Sequence, residues 1–246
     1  MKPVLLVIAH GSRDPRHAAT VHALVRRVRS LRPDVRVETG FLDFNIPSVQ
    51  GVLESLAAEG VRDVVALPLL LTRAFHAKAD IPAVLRDAPP QLRIRQAEVL
   101  GPSPLLLSAL ERRLYEAGLT PADKSSTGVV LASAGSTDPE AIAVIADIAR
   151  EWRHTGWCAV RPAFASAALP RAEDAVRELR ALGCAKVAVA PYVLAPGFLP
   201  DRIARGAAEA DILAGVLGPA PEVARVLLRR YDAAAAQGLL RLTVSA

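Results

Sequence analysis

The sequence predicts an α/β protein built from two tandem, duplicated domains, each a doubly wound parallel sheet of about four strands. Two observations predict it. Uninterrupted apolar runs alternate with amphipathic stretches along the chain. Such runs read as strands buried on both faces, with helices covering them. The series also occurs twice. VIAHGSRDP at 7–15 is matched by VLASAGSTDP at 130–139, GFLDFNIPSVQGVL by PAFASAALPRAEDAV, and VVALPLLLTRAF by VAVAPYVLAPGF, each at an offset of 123 or 124 residues. A period this long marks fused domains and not a solenoid.

The strands of the first copy are expected at Pro3 to Ala9, Val35 to Leu42, Val61 to Leu71 and Leu92 to Leu100. Helical periodicity fills the gaps. In the first, Val21, Leu24, Val25, Val28 and Leu31 mark one face, and Arg26, Arg27 and Arg29 the other. The second helix spans Ser48 to Glu59 and closes at Gly60, the third runs roughly from His76 to Arg86, and the fourth from Ser103 to Ala117. The stretch LTPADKSSTG is polar, contains proline and glycine, and has no apolar period, which marks a linker. Strands then recur at Val129 to Ser133, Trp157 to Phe164, Lys186 to Leu194 and Ile212 to Leu217. The expected organisation is therefore a domain at 1–118, a linker at 119–128, and a second domain at 129–246.

Composition narrows the classes of function. Hydrophobic residues make up 52% of the 246, enough for packed cores, and no apolar run approaches a membrane span. The amino-terminal run is too short for a signal peptide, so a cytoplasmic protein is expected. Lys and Arg give a net charge of +5 but are scattered, and aromatics are only 4%, which disfavours nucleic acid and admits an acidic small molecule. Cys158 and Cys184 are spaced for neither a metal knuckle nor a disulfide framework and read as inert core residues. No GxxxxGK[ST] or GxGxxG follows the first strand, so neither ATP nor NAD is expected.

His10 ends the first apolar run, where it has four readings: a satisfied core residue, a base, a metal ligand or a phosphate acceptor. The duplication separates these. Ala134 stands where His10 does, and Leu199 where His76 does, while both surrounding turns persist. The fold of the second copy therefore does without either imidazole. His10 follows the first strand and His76 the third, which in a parallel sheet puts both at the carboxyl edge where ligands bind. Each precedes a helix, whose positive dipole end disfavours imidazolium and favours a neutral ring able to hold a metal or accept a proton. Gly11 permits a tight turn, Ser12 caps the next helix, and Arg13 and Arg73 add positive charge. His17, His22 and His154 read as solvated.

The opening AHGSRDP, the FLDFNIPSV block and LPLLLTRAFHAKADIP resemble the sirohydrochlorin chelatases, class II tetrapyrrole chelatases related to ferrochelatase, in their two-unit form. The resemblance covers residues 3–236. It implies a chelatase-like fold and ATP-independent insertion of Fe2+ or Co2+ into sirohydrochlorin, for sirohaem or cobalamin synthesis. It implies that His10 is proton acceptor and metal ligand and that His76 is the second ligand. Ser12, Arg13 and the loop Leu71, Thr72, Arg73, Ala74 and Phe75 would then face the macrocycle. Family members often carry glutamates before the proline of the second block; here Asp43 or Asn45 takes that place. Ser133, Ser136 and Phe198 would form the cleft wall of the second half. The partners implied are sirohydrochlorin and a divalent metal as substrate, with no permanently bound cofactor, no nucleic acid and no membrane. A monomer is expected, because the duplication mimics a dimer of single units. The competing readings are a non-catalytic tetrapyrrole or metal carrier and a histidine phosphatase, although the latter normally wants an arginine where Ala9 stands.

Overall fold

The computed structural model describes residues 2–73 and 79–243, with side chains as far as Gln237. The first half runs β1 (Val4–Ala9), α1 (Pro15–Leu31), β2 (Val37–Phe41), α2 (Val49–Ala58), β3 (Asp63–Pro68), α3 (Ile81–Arg86), β4 (Arg93–Gln96) and α4 (Pro104–Glu116). The second runs β5 (Thr127–Ser133), α5 (Pro139–Arg153), β6 (Ala159–Phe164), α6 (Ala172–Ala181), β7 (Lys186–Tyr192), α7 (Phe198–Gly206), β8 (Ile212–Leu213) and α8 (Pro221–Thr243). Each half forms one four-stranded parallel sheet, ordered β2-β1-β3-β4 and β6-β5-β7-β8. The expected duplicated α/β architecture is what the chain adopts.

The central strands explain the apolar runs. Every residue of β1 and of β5 is buried, because each strand is paired on both edges and covered on both faces. Leu6, Ile8, Val64 and Ala66 pack under Leu53 and Leu56 of α2 in the first core. Val130, Ala132, Val187 and Val189 pack under Val176 and Leu179 of α6 in the second. Asp14 caps α1 by accepting from Arg16 N, and Pro15 presets the first turn. Val21, Leu24, Val25 and Val28 are buried as their spacing predicts, whereas Leu31, at the last turn, is exposed.

The outer strands are shorter than the apolar pattern suggests. β4 ends at Gln96 and β8 at Leu213, after which the chain stays tied by single bonds, Leu100 N to Leu70 O and Leu217 N to Val193 O. An apolar run reports burial, and these segments are buried at the sheet margin without a partner strand.

The compact units are Met1–Gly101 with Pro219–Ala246, and Pro102–Gly218. This departs from the expected division at 118 and 129, because the closing helix of each copy belongs to the other copy's unit. In the first unit α8 packs on α1, β3 and β4. There Val223, Leu227 and Tyr231 are buried, and Tyr231 Oη donates to Pro3 O at 2.7 Å. In the second unit α4 packs on β7 through Leu106, Ala109, Leu110 and Leu114. The exchange has its own internal repeat, LGPSP at 100–104 and LGPAP at 217–221. Arg230 Nη2 donates to Leu100 O at 3.3 Å, and its counterpart Arg113 Nη2 donates to Leu217 O at 3.0 Å.

The expected linker at 119–128 is also structured. Pro121–Ser126 form a 3-10 helix, and β5 already begins at Thr127. Asp123 Oδ2 accepts from Thr120 N and Oγ1, and its Oδ1 accepts from Lys186 Nζ at 2.7 Å. Polar residues here satisfy one another in place of solvent.

Candidate active site of the first unit

His10 stands one residue beyond the last pair of β1, Ala9 opposite Phe41. The ladder continues into the turn, since Leu42 N donates to Ala9 O at 3.0 Å and Asp43 N to His10 O at 2.9 Å. On the other edge Leu69 N donates to Ile8 O at 2.8 Å. The backbone of His10 is thus fixed by the sheet while its side chain is exposed.

Gly11 makes the approach possible. Its φ is +95°, and a Cβ would lie 1.8 Å from Asp43 O. Asn45 then clamps the turn, its Oδ1 accepting from Ser12 N at 2.8 Å. Ser12 Oγ accepts from Asp14 N at 3.1 Å, so Ser12 braces the turn before the helix, and the cap expected of it belongs to Asp14. Asp43 Oδ1 accepts from Phe44 N at 2.8 Å. Asp43 and Asn45 are both spent, at least in part, on holding this loop, which leaves its apolar members outward. Phe44 has φ +61° and is half exposed, and Ile46, before the cis Pro47, is 87% exposed. The Phe44 ring lies 6.4 Å from that of His10, and the Arg13 guanidinium sits 5.1 Å above it.

The elements bring together His10, Ser12, Arg13, Asp43 and Asn45. Leu71 and Thr72 follow β3 on the same sheet edge, half-buried, and Arg73 is exposed with Glu98 3.7 Å away, which offsets part of its charge. Ala74, Phe75 and His76 lie outside the described residues. Ser133 is buried at the end of β5, Ser136 Oγ accepts from Asp138 N at 3.0 Å as Ser12 does from Asp14, and Phe198, first in α7, is 70% exposed. Among the described residues no three His, Cys, Asp or Glu side chains are grouped to hold a metal.

His17 departs from its expected solvated state. It is half-buried, and its Nδ1 is buried with no partner among the described residues. Burial lowers its pKa below the ordinary imidazole value, the nearby His10 charge lowers it further, and Asp14 opposes both. Nothing in the local sequence pattern shows that the ring is covered. His22 and His154 are exposed as expected, with the His22 ring edge-on to Phe41 at 5.7 Å. Of the two thiols expected in the core, Cys184 is buried and Cys158 is exposed, with their sulfurs 3.6 Å apart.

The same architecture carries a family signature in both halves. The CbiX family model matches residues 4–117 and again 128–234. The chain belongs to the CbiX family. Within that family it is 31% identical over 247 residues to a sirohydrochlorin cobaltochelatase of Priestia megaterium, covering 94% of this chain and 79% of that one. It is 28% identical over 211 residues to a sirohydrochlorin ferrochelatase of Bacillus subtilis, covering 83% and 79%. Among solved structures, SirB from Bacillus subtilis with Fe3+ superposes with a TM-score of 0.80 at 25% identity, covering 97% of each chain. In this CbiX chain the match extends through both copies, including the one that lacks the histidines. No helix among the described residues is long and apolar enough to cross a membrane.

Proposed function

We propose that the chain is a metal chelatase that inserts Fe2+ or Co2+ into sirohydrochlorin without nucleotide hydrolysis, with His10 as its proton acceptor and first metal ligand. The observation that carries the reading is the His10 turn: an exposed imidazole on a backbone pinned by two strands, flanked by exposed apolar side chains, in a chain whose relatives are named for this reaction.

The chemistry follows from that turn. Sirohydrochlorin is a macrocycle with an apolar face and eight carboxylates at its rim. Metallation must release two pyrrolic protons and strip water from the ion. A neutral imidazole supplies a lone pair that holds a borderline divalent ion and then takes a proton as the ion passes to the ring. Phe44 and Ile46 give the macrocycle a dry surface beside His10, and Arg13, stacked on Phe44, faces its carboxylates. His76 serves as second ligand, and Leu71 to Phe75 as the loop against the ring. Imidazole does not discriminate strongly among Fe2+, Co2+ and Ni2+, so the metal used is set by supply as much as by the site. The reading includes a monomer as the working form, since the duplication mimics a dimer of single units.

The test is the absorbance change of sirohydrochlorin with Co2+ or Fe2+, with and without protein. Acceleration by the wild type, lost in His10→Ala and in His76→Ala at unchanged thermal stability, supports the proposal. A carrier would bind the tetrapyrrole with no acceleration, and His10-dependent phosphoester hydrolysis would point to a phosphatase.

A further inference from the structure

The second unit contains a cavity of about 380 Å³ at the end of β6, between the start of α6 and α7. Phe164, Ala165, Arg171, Glu173, Arg202 and Arg205 are among the residues that line it. The volume is near the lower end of small-ligand sites. Three guanidinium groups and one carboxylate leave the lining with a charge of +2.

The placement of these arginines is not explained by the fold. Arg171 occupies the cap position of α6, where a guanidinium has no acceptor to offer and faces the positive end of the helix dipole. Its counterpart in the first copy, Ser48, caps α2 in the usual way by accepting from Gly51 N at 3.1 Å. In the second unit Asp174 Oδ2 takes over the backbone of the cap, accepting from Arg171 N at 3.0 Å. The Arg171 side chain is steadied by Nη1 donating to Phe164 O at 3.3 Å. Arg202 and Arg205 are exposed and make no ion pair with a described carboxylate. At the same offset the first copy has Ala79 and Pro82. The second copy has thus lost its histidines and acquired three cations around one cavity.

We propose that this cavity binds the carboxylate groups of a polycarboxylate ligand. Guanidinium groups suit planar carboxylates through paired N–H donors, and three of them around a small cavity select multiple negative charge over a single one. Two sources share that chemistry: the carboxylate arms of the tetrapyrrole, which rests on the function proposed above, and a free small polycarboxylate.

The experiment uses the full chain and two probes, metal-free sirohydrochlorin followed by fluorescence and tricarballylate followed by calorimetry. Arg202→Gln removes an exposed group without a described partner, so folding is unaffected; Arg171→Lys keeps charge but loses the planar fork. Each is expected to weaken binding about tenfold. If sirohydrochlorin binding weakens, KM rises with kcat within about twofold, and tricarballylate competes, the ligand is the substrate's own carboxylates. If only tricarballylate binding responds, the ligand is a free polycarboxylate. Unchanged affinity for both probes in both variants, or no tricarballylate binding with sirohydrochlorin unaffected, overturns the proposal. A wild type that binds tricarballylate through Arg202 yet never metallates sirohydrochlorin defeats the chelatase reading and leaves this one standing.

Discussion

The turn after β1 and the turn after β5 are built alike and equipped differently. Gly11 and Gly135 have φ of +95° and +93°, and a Cβ on either would strike a carbonyl oxygen, Asp43 O at 1.8 Å or Ser166 O at 1.9 Å. Both loops after the second strand contain a non-glycine residue at positive φ, Phe44 and Ala167, and a cis proline, Pro47 and Pro170. Yet His10 projects outward, while Ala134 and Leu199, at the two histidine positions, pack against the second core. The backbone of this edge is scaffold; the imidazole is an addition to it. That difference makes one chain its own control.

The largest effect should come from the imidazole itself. His10→Ala is expected to slow metallation about 10³-fold, within the range of a lost general base, with a melting temperature within about 2 °C of the wild type. Ala134→His should confer nothing in that background. A metallation rate restored by Ala134→His would break the comparison.

The glycines should then behave alike in stability and differ in activity. Gly11→Ala and Gly135→Ala each force a strained backbone against a carbonyl, for about 2–3 kcal/mol in urea unfolding. Only Gly11→Ala should also lose metallation beyond its loss of folded protein. If Gly135→Ala proves harmless, the two turns are less equivalent than their geometry indicates.

A smaller effect tests the Asn45 clamp of the first turn, where the second turn instead has Ser166 Oγ donating to Ala134 O at 2.9 Å. Asn45→Ala leaves Ser12 N without its acceptor and should cost about 1 kcal/mol while lowering kcat, because His10 loses its support. Ala168, at the equivalent place, bonds its own backbone N to Ser166 O and should accept serine without effect.

The smallest effect is confined to the second unit. Gly128 leaves room for the Cys184 sulfur, and burial, with the Cys158 thiol beside it, pushes the Cys184 pKa up to about 11. The unfolded thiol ionises near 8.5, so the unfolded state sheds its proton first. Stability contributed by the neutral thiol is therefore full below about pH 8.5 and declines as pH rises toward 11. Urea melts at pH 8 and pH 10 should show the decline, and Cys184→Ala should flatten it. A thiol reagent at pH 8 should modify exposed Cys158 first.

Much of this was legible in the sequence because burial and periodicity are local. The runs at Pro3–Ala9 and Val129–Ser133 read as strands buried on both faces, and Gly11 with Ser12 announced a turn and a helix start, although the cap itself falls on Asp14. The loss of both histidines from the second copy was likewise readable by eye. What escaped reading was non-local. The roles of Asn45 and Ser12 depend on two loops meeting. The covered Nδ1 of His17 and the arginine cavity depend on neighbours far away in sequence. The packing partner of α4 escaped for the same reason: its amphipathic pattern states that one face is buried, not against which sheet.

The sequence by itself determined the duplicated α/β architecture, the sheet edge on which the proposed site lies, and the copy that keeps the histidines. Each of these is written in the order and periodicity of side chains along the chain. Only the tertiary structure decided that α4 and α8 change places, that Asp43 and Asn45 are spent on the turn, and that three arginines surround one cavity. Those are facts of proximity between distant residues, and packing brings them together only once the sheets have formed.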